Sequence, residues 1–501
     1  EGKLTEFDKS LGKAMFVSHQ WLADRHPDPR SEQFRILQEA LANLLSGKIK
    51  ISLPLPVELF YGRLAIPTAA ALSATPLFVW YDYFSCPQAM LSSHSRQTAI
   101  SNIVHFVALS EYFVILCPNL RHMETKSTLS KTTWGQRGWC RLERLARELS
   151  LGGIMVAVES PVKVTLSVQT PLSLDAPSDG DFTVEADRAR VGRSVLQLMW
   201  KKLLHDLRQG DGHEYRFLLN RQATYLQRAD TQKLQGLVPV FSPQTDPFAD
   251  EQAFMVEHYL HENCWKKISE RDSAGWTPIC YAVISGSKPL LEALLRHGAS
   301  CNDVVTKSKW QLTFPRNLPV LSVATYFRNT VAVEALLAAR ASVSARDAHG
   351  LRPLHWACTA DHAEGVRLLL EHGAVASAQD IVGTTPLWLA CGNGALSALK
   401  ALLLYAPSLS LQYCLHFCIV LEASPAMVAA LIQARADVNE PFQKKAWSHV
   451  GKAVFAMLSL KHRISPSHIT AFAYHSYGST PLMLSIFYAQ FSASHILLEA
   501  G

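Results

Sequence analysis

Four residues mark the places where this chain could hold a ligand. Ser18, His19 and Trp21 close one apolar run, AMFVSHQW, and Asp82 lies near the end of another, LFVWYDYF. If such runs are parallel strands, their carboxyl ends are where ligands sit. The ends here are Ser18 to Trp21, Asp82 to Gln88 and Cys117 to Asn119. Ser18 and His19 do not form a nucleophile–base pair, because adjacent strand residues face opposite sides. His19 reads as a hydrogen-bonded strand-end histidine. The cysteines are Cys86, Cys117, Cys140, Cys264, Cys280, Cys301, Cys358, Cys391, Cys414 and Cys418. They contain no CxxC pair and no zinc-ligand spacing, so no metal site is expected. Several lie in apolar runs, where a reduced thiol behaves as a small hydrophobe. That usage suits a reducing compartment, and the expected location is cytoplasmic.

The elements that would position these residues alternate. SEQFRILQEALANLL places Phe34, Leu37, Leu41 and Leu44 at helical spacing. QTAISNIVHFVALS and CRLERLARELS read as helices, and YFVILC and GIMVAVE as strands. The β-α-β-α-β-α-β order from 14 to 160 predicts a parallel sheet covered by helices. Within the last helix, Leu142, Leu145, Ala146 and Leu149 form the apolar stripe, and Glu143 lies on its flank beside Trp139. There Glu143 can pair with Arg147 four residues on, an arrangement worth about 0.2–0.5 kcal/mol. An acid in a first helical turn also suits the helix dipole. On this reading Glu143 is a solvated surface residue, and Trp139 and Cys140 pack in the core.

FVSHQW on the first strand, AI opening a middle helix, FVILCP and RGWCRLE together resemble a divergent Toll/interleukin-1-receptor (TIR) domain over about 145 residues. The most telling part is Trp139, Cys140 and Glu143. VWYDYFSCPQ is also similar to a strand–loop motif of fungal heterokaryon-incompatibility domains. The resemblance implies a TIR/flavodoxin-like fold and self-association. Some TIR domains hydrolyse NAD with the glutamate at this motif position, so it also implies Glu143 as a catalytic residue. Nicotinamide leaves a cationic ring as a neutral molecule, and the oxocarbenium character at the ribose carbon is what an anion would stabilise. NAD would then be a substrate, with no cofactor required. Ser18, His19, Trp21, Asp82 and Trp139 are the implied ligand-binding residues, and Trp134 is a further candidate wall.

The second half repeats itself. GWTPICYAVISGSKPLLEALLRHGAS, GLRPLHWACTADHAEGVRLLLEHGAV and GTTPLWLACGNGALSALKALLL are copies of one unit. Pro353 and Pro386 are 386 − 353 = 33 residues apart, and Pro319 precedes Pro353 by 353 − 319 = 34. The step from Pro278 is 319 − 278 = 41, so a loop is expected near Asp303 to Arg316. A degenerate copy ends at Asn439, and the last copy begins YGSTPLMLSIFY. An insertion lies between them, with a helix expected in KKAWSHVGKAVFAMLSL. Thr caps a helix start, Pro sits in the first turn, and Gly298 and Gly373 take the left-handed position after the second helix. Each unit leaves one apolar face open, so units must stack.

This pattern resembles the ankyrin-repeat family over about 230 residues, carried by Thr277, Pro278, Pro353, Leu354, His355, Ala357, Thr385, Pro386, Leu387, Ala390, Thr480, Pro481 and Leu482. It departs where Cys280, Ser322, Trp388 and Met483 replace the His. The resemblance implies an interaction scaffold of a signalling kind, contacting its partner through finger tips and inner helices. Those positions are Ala274, Trp276, Ile284, Ser285, His349, Leu351, Thr359, Ala360, Ile381, Val382, Thr384 and Asn393. Trp276, Leu351, Ile381 and Val382 are expected to form a partly apolar exposed patch; the alternative is that they pack between neighbouring fingers.

The whole is read as multidomain: a 1–160 TIR-like α/β domain, a 161–262 linker and helical connecting segment, and 263–501 as about six ankyrin repeats forming an all-α solenoid. A polar stretch from Pro161 to about Gly180 reads as linker. The net charge of +6 is small for 501 residues and scattered, which argues against nucleic-acid binding. No run is convincing as a membrane span. The chain opens without Met and stops in LLEAG, where a repeat would continue, so a fragment of a longer protein is expected.

Overall fold

The alternating runs of the first half fold as a five-stranded sheet. The computed structural model describes residues 7–54, 58, 66–86, 98–150, 153–167, 175–308, 314–443, 447–464 and 466–501. Strands β1 (Lys13–His19), β2 (Leu77–Tyr81), β3 (Tyr112–Leu116), β4 (Ile154–Val158) and β5 (Val164–Leu166) lie in the order β2-β1-β3-β4-β5. The first four are parallel, with Val17 opposite both Tyr81 and Val114. β5 runs antiparallel to β4, so part of the expected linker is an edge strand. β1 and β3 are apolar on both faces because helices cover both. β1 leads on to β2 at one side and β3 to β4 at the other, so the strand order switches direction between β1 and β3.

The helices of this sheet unit are α1 (Glu32–Leu45), α2 (Ile103–Leu109), α3 (Gly138–Leu149) and α4 (Asp187–Gln209). Leu37, Ala40 and Leu44 of α1 join Met15, Val17, Val114 and Val156 in one core. α3 packs between α2 and α4, and α4 buries Val191, Val195, Met199 and Leu203 along one stripe.

The second unit is a stack of helix pairs. The pairs are α7/α8 (Pro278–Ser285, Lys288–Arg296), α9/α10 (Val320–Tyr326, Thr330–Ala338), α11/α12 (Pro353–Thr359, Ala363–Glu371), α13/α14 (Pro386–Gly392, Leu396–Tyr405), α15/α16 (Cys414–Val420, Pro425–Gln433) and α19/α20 (Pro481–Phe487, Phe491–Glu499). Inner helices touch inner helices and outer touch outer, so the segments around Pro353 and Pro386 are consecutive layers. α17 (His449–His462) and α18 (His468–His475) pack on each other and are looped out before the last layer. Gly298 and Gly373 are left-handed as expected, and Arg340 and Arg435 adopt the same conformation at the equivalent points.

One layer was not visible as a repeat. α5 (Gly212–Asn220) packs on α7, and α6 (Glu251–Glu262) packs on α8, so together they continue the stack ahead of the first repeat. Polar groups hold this layer. The Arg216 guanidinium donates to the Asn263 and Cys264 carbonyls at 2.6 and 2.8 Å and lies 3.6 Å above the Trp265 ring. His213 meets the Tyr281 hydroxyl at 2.5 Å. The chain divides into Glu1–Gly210 with Gln222–Leu234, and Asp211–Arg221 with Gln235–Gly501. Residues 161–262 are therefore shared between the two units.

Candidate functional site

In the sheet unit, Ser18, His19, Trp21, Asp82 and Glu143 come together at the carboxyl ends of β1 and β2. The Trp134 indole, on the short helix Lys131–Trp134, donates to Ser18 Oγ at 2.9 Å. The Ser18 hydroxyl in turn bonds the Glu143 carboxyl. His19 turns away from Ser18: its Nε2 lies 2.7 Å from Asp82 Oδ1, and its ring stacks on Tyr81 at 4.4 Å. Trp21 is 40% exposed and its indole donates to Asp82 Oδ2 at 3.3 Å. Trp139 is not part of this group; its indole donates to Asp187 of α4 at 3.1 Å.

Glu143 corrects the surface reading. It is 8% exposed and sits in the second turn of α3, not the first. No Glu143–Arg147 ion pair forms, since Arg147 is itself buried with a guanidinium nitrogen on the Ser110 carbonyl at 2.5 Å. Burial pushes the Glu143 carboxyl up to about 8, against the Ser18 hydrogen bond that favours the anion. The Asp82 charge adds to the rise, and His19 and Arg137 oppose it. For His19, burial favours the neutral ring, but the Asp82 carboxylate outweighs it and holds the imidazole above its ordinary value. Asp82 is resisted by burial yet held below the usual carboxylate range by His19 and Trp21. Asp82 thus favours a proton on both of its neighbours, His19 and Glu143. Sequence reading missed Tyr81; Cys140, named in the motif and read as core, is buried with its thiol directed at the His19 carbonyl at 3.9 Å. The spacing of aromatic residues gives no signal for Tyr81.

In the repeat unit the fingers form a ladder of backbone hydrogen bonds. Thr306 N donates to the Gly275 carbonyl at 3.1 Å, Ala348 N to Arg316 at 3.0 Å, and Ile381 N to His349 at 3.1 Å. One aspartate builds each of three turns. Asp347 Oδ1 accepts from His349 N and Leu351 N at 2.8 and 3.0 Å, and Asp380 Oδ1 accepts from Val382, Gly383 and Thr384 N at 2.7–3.0 Å. Asp272 does the same for Ala274 and Trp276.

The expected exposed apolar patch is corrected. Trp276 is 0% exposed, enclosed by Phe217 of α5, Tyr281 and Phe314, and Leu351 is also buried. Ala274, Ile284 and Ala360 are buried too. Ser285, His349, Thr359, Val382 and Thr384 are half-buried, while Ile381, at 49%, and Asn393 are exposed. The insertion folds back onto this finger: the Ser448 hydroxyl donates to the Ile381 carbonyl at 2.8 Å and Ser448 N to Val382 at 3.3 Å. A Cβ at Gly451 would lie 2.1 Å from the Val382 carbonyl oxygen, so glycine permits the approach of α17.

Among the described residues, Asp24, His122 and Glu124 bring possible ligand atoms within 4.8 Å of one another at the surface. His122 Nδ1 faces Glu124 at 3.4 Å and Nε2 faces Asp24 at 3.8 Å, so the group offers at most three protein ligands, two of them exposed carboxylates. That is too few ligands for a closed site. All ten cysteines are free thiols. No helix among the described residues is long and apolar enough to cross a membrane.

Residues 274–307 match the ankyrin-repeat family, and residues 306–380 match the family of ankyrin repeats in three copies. Both matches fall in the repeat unit. Among solved structures, the chain is similar to the human ASB11 ankyrin repeat domain at 17% identity, over 51% of this chain and 98% of that one, with a TM-score of 0.36. No curated protein matches the chain.

Proposed function

We propose that this chain is a signalling adaptor that captures a protein partner on the finger ladder of its ankyrin repeats and carries a TIR-like head for self-association. Ankyrin repeats point to protein interaction, and the observation that carries the reading is the ladder itself. Three of its turns are closed by aspartate side chains that hold backbone amides, which supports fingers that are ordered before any partner arrives and lose little freedom on binding. The head's four parallel strands in the order β2-β1-β3-β4 are what a TIR/flavodoxin-like sheet requires, which supports that assignment. A photo-crosslinking residue at His349 or Ser285 is expected to capture a discrete partner in cells, while the same label at Arg296, on an outer helix, captures none. Indistinguishable adducts from all three positions would sink the adaptor reading.

A specific observation favours a second reading, NAD hydrolysis in the head. Glu143 is a buried, proton-holding acid among Ser18, Trp134 and His19 at strand ends, an environment found around catalytic carboxyls. Approach of the cationic nicotinamide ring would favour loss of the Glu143 proton to solvent. The anion would then stabilise the ribose cation as the C–N bond breaks, nicotinamide leaves neutral, and water adds to the ribose carbon, giving its surplus proton to the Glu143 carboxylate. The test is nicotinamide release by the full chain, with turnover rising as pH approaches 8 and lost in Glu143→Ala. No release at any pH, with the head folded, removes this reading and leaves the adaptor untouched.

A further inference from the structure

The finger turns consume their acids and leave their bases outward. Asp347 is buried, with its carboxylate on two backbone amides and the Trp356 indole. Asp303 is taken by the Thr277 hydroxyl and the Arg271 guanidinium. Among the described residues of 303–308, 314–318 and 343–352 these are the acids, and neither is free to neutralise a neighbour. The cations of the same stretches are Lys307, Arg316 and Arg346, all exposed, and Arg352, half-buried. The ladder orders them, with Lys307 beside the Gly275 finger and Arg316 paired through its carbonyl to Ala348. Arg346 is close enough to Arg352 to add to the effect of burial in lowering its affinity for a proton, and both oppose protonation of His355. Packed helical layers lie about 8–10 Å apart, close to the screening length of physiological salt, so the potentials of successive fingers add.

We propose that this run of cations, from Lys307 through Arg316 and Arg346 to Arg352, binds an acidic segment of the protein partner. The inference rests on the adaptor reading and names the chemistry of its partner. A protein segment fits better than a nucleic acid, because Trp276, the aromatic residue of the first finger, is buried and cannot stack on bases. The ladder also continues into Ile381, an exposed apolar side chain that a protein segment can cover and a phosphate backbone cannot.

The test uses the full chain and three fluorescent probes: a 20-residue peptide rich in Asp and Glu, the same peptide with Ser and Gln in place of its acids, and a 20-nucleotide single-stranded RNA. Anisotropy titrations at physiological salt are expected to show the acidic peptide binding at least about tenfold more tightly than either other probe. Combining Lys307→Glu, Arg316→Glu and Arg346→Glu, all at exposed positions, should cost at least about tenfold, with melting unchanged. Arg296→Glu with Lys400→Glu, on outer helices, should cost nothing. Equal binding of acidic and neutral peptides overturns the charge assignment but not the adaptor, which is judged by crosslinking at His349. Tighter binding of RNA, no binding of the acidic peptide, or full affinity in the triple variant also overturns it.

Discussion

In the repeat unit three histidines are sealed between layers as neutral rings, whereas the sheet unit seals a carboxyl. Burial pushes His355, His362 and His416 down to about 4, against backbone carbonyls that face each ring. Burial pushes Glu143 up to about 8. The three rings and Glu143 therefore respond to pH in opposite senses. A histidine depressed from 6.5 to about 4 supplies stability above 6.5 that is lost as pH falls toward 4. A carboxyl raised from 4.5 to about 8 supplies stability below 4.5 that is lost as pH rises through 8. The difference teaches that the repeats use imidazole as a neutral hydrogen-bonding spacer, while the sheet unit encloses an acid near the carboxyl ends of β1 and β2.

The largest effect should come from acid. Moving the full chain from pH 7 to pH 5 should lower amide protection in α11–α16 by about 1–2 kcal/mol for each sealed ring, with no loss in β1–β4. Equal loss in both units, read by hydrogen exchange, breaks the comparison. Next, Gly451→Ala should cost about 1–3 kcal/mol by driving a methyl into the Val382 carbonyl, seen as loosened exchange over 447–462 with the other layers unchanged. Glu143→Gln should stabilise the sheet unit by about 1–3 kcal/mol at pH 9 and hardly at pH 5, because an amide needs no proton to be buried. A pH-independent effect would show that Glu143 ionises without cost. Smallest, Arg435→Gly should raise the melting midpoint, gaining about 0.5–1 kcal/mol by relieving a left-handed arginine at φ 66°.

Much of the repeat unit was legible because each layer carries its own capping and turn residues within about 33 positions. The layer of α5 and α6 was not: its helices are separated in sequence, and His213, Arg216 and Asn220 hold it by polar contacts that no apolar period announces. Trp276 and Leu351 follow the alternative of packing, not exposure: Phe217 of α5 lies against Trp276, and Leu351 is buried. In the head, the alternation of strands and helices was readable, but β5 was not, since three residues in a polar stretch give no period. The placing of Ser18, His19 and Asp82 at strand ends follows from the apolar runs alone. The burial of Glu143 was hidden, because the Trp134–Ser18 bond that roofs it joins residues 116 positions apart.

The account stands most directly on where a partner lands. Hydrogen exchange of the full chain, with and without the protein captured at His349, is predicted to show new protection at 273–276, 306–308 and 346–352 and none in β1–β4. Protection confined to the sheet unit, with the fingers unchanged, would contradict it.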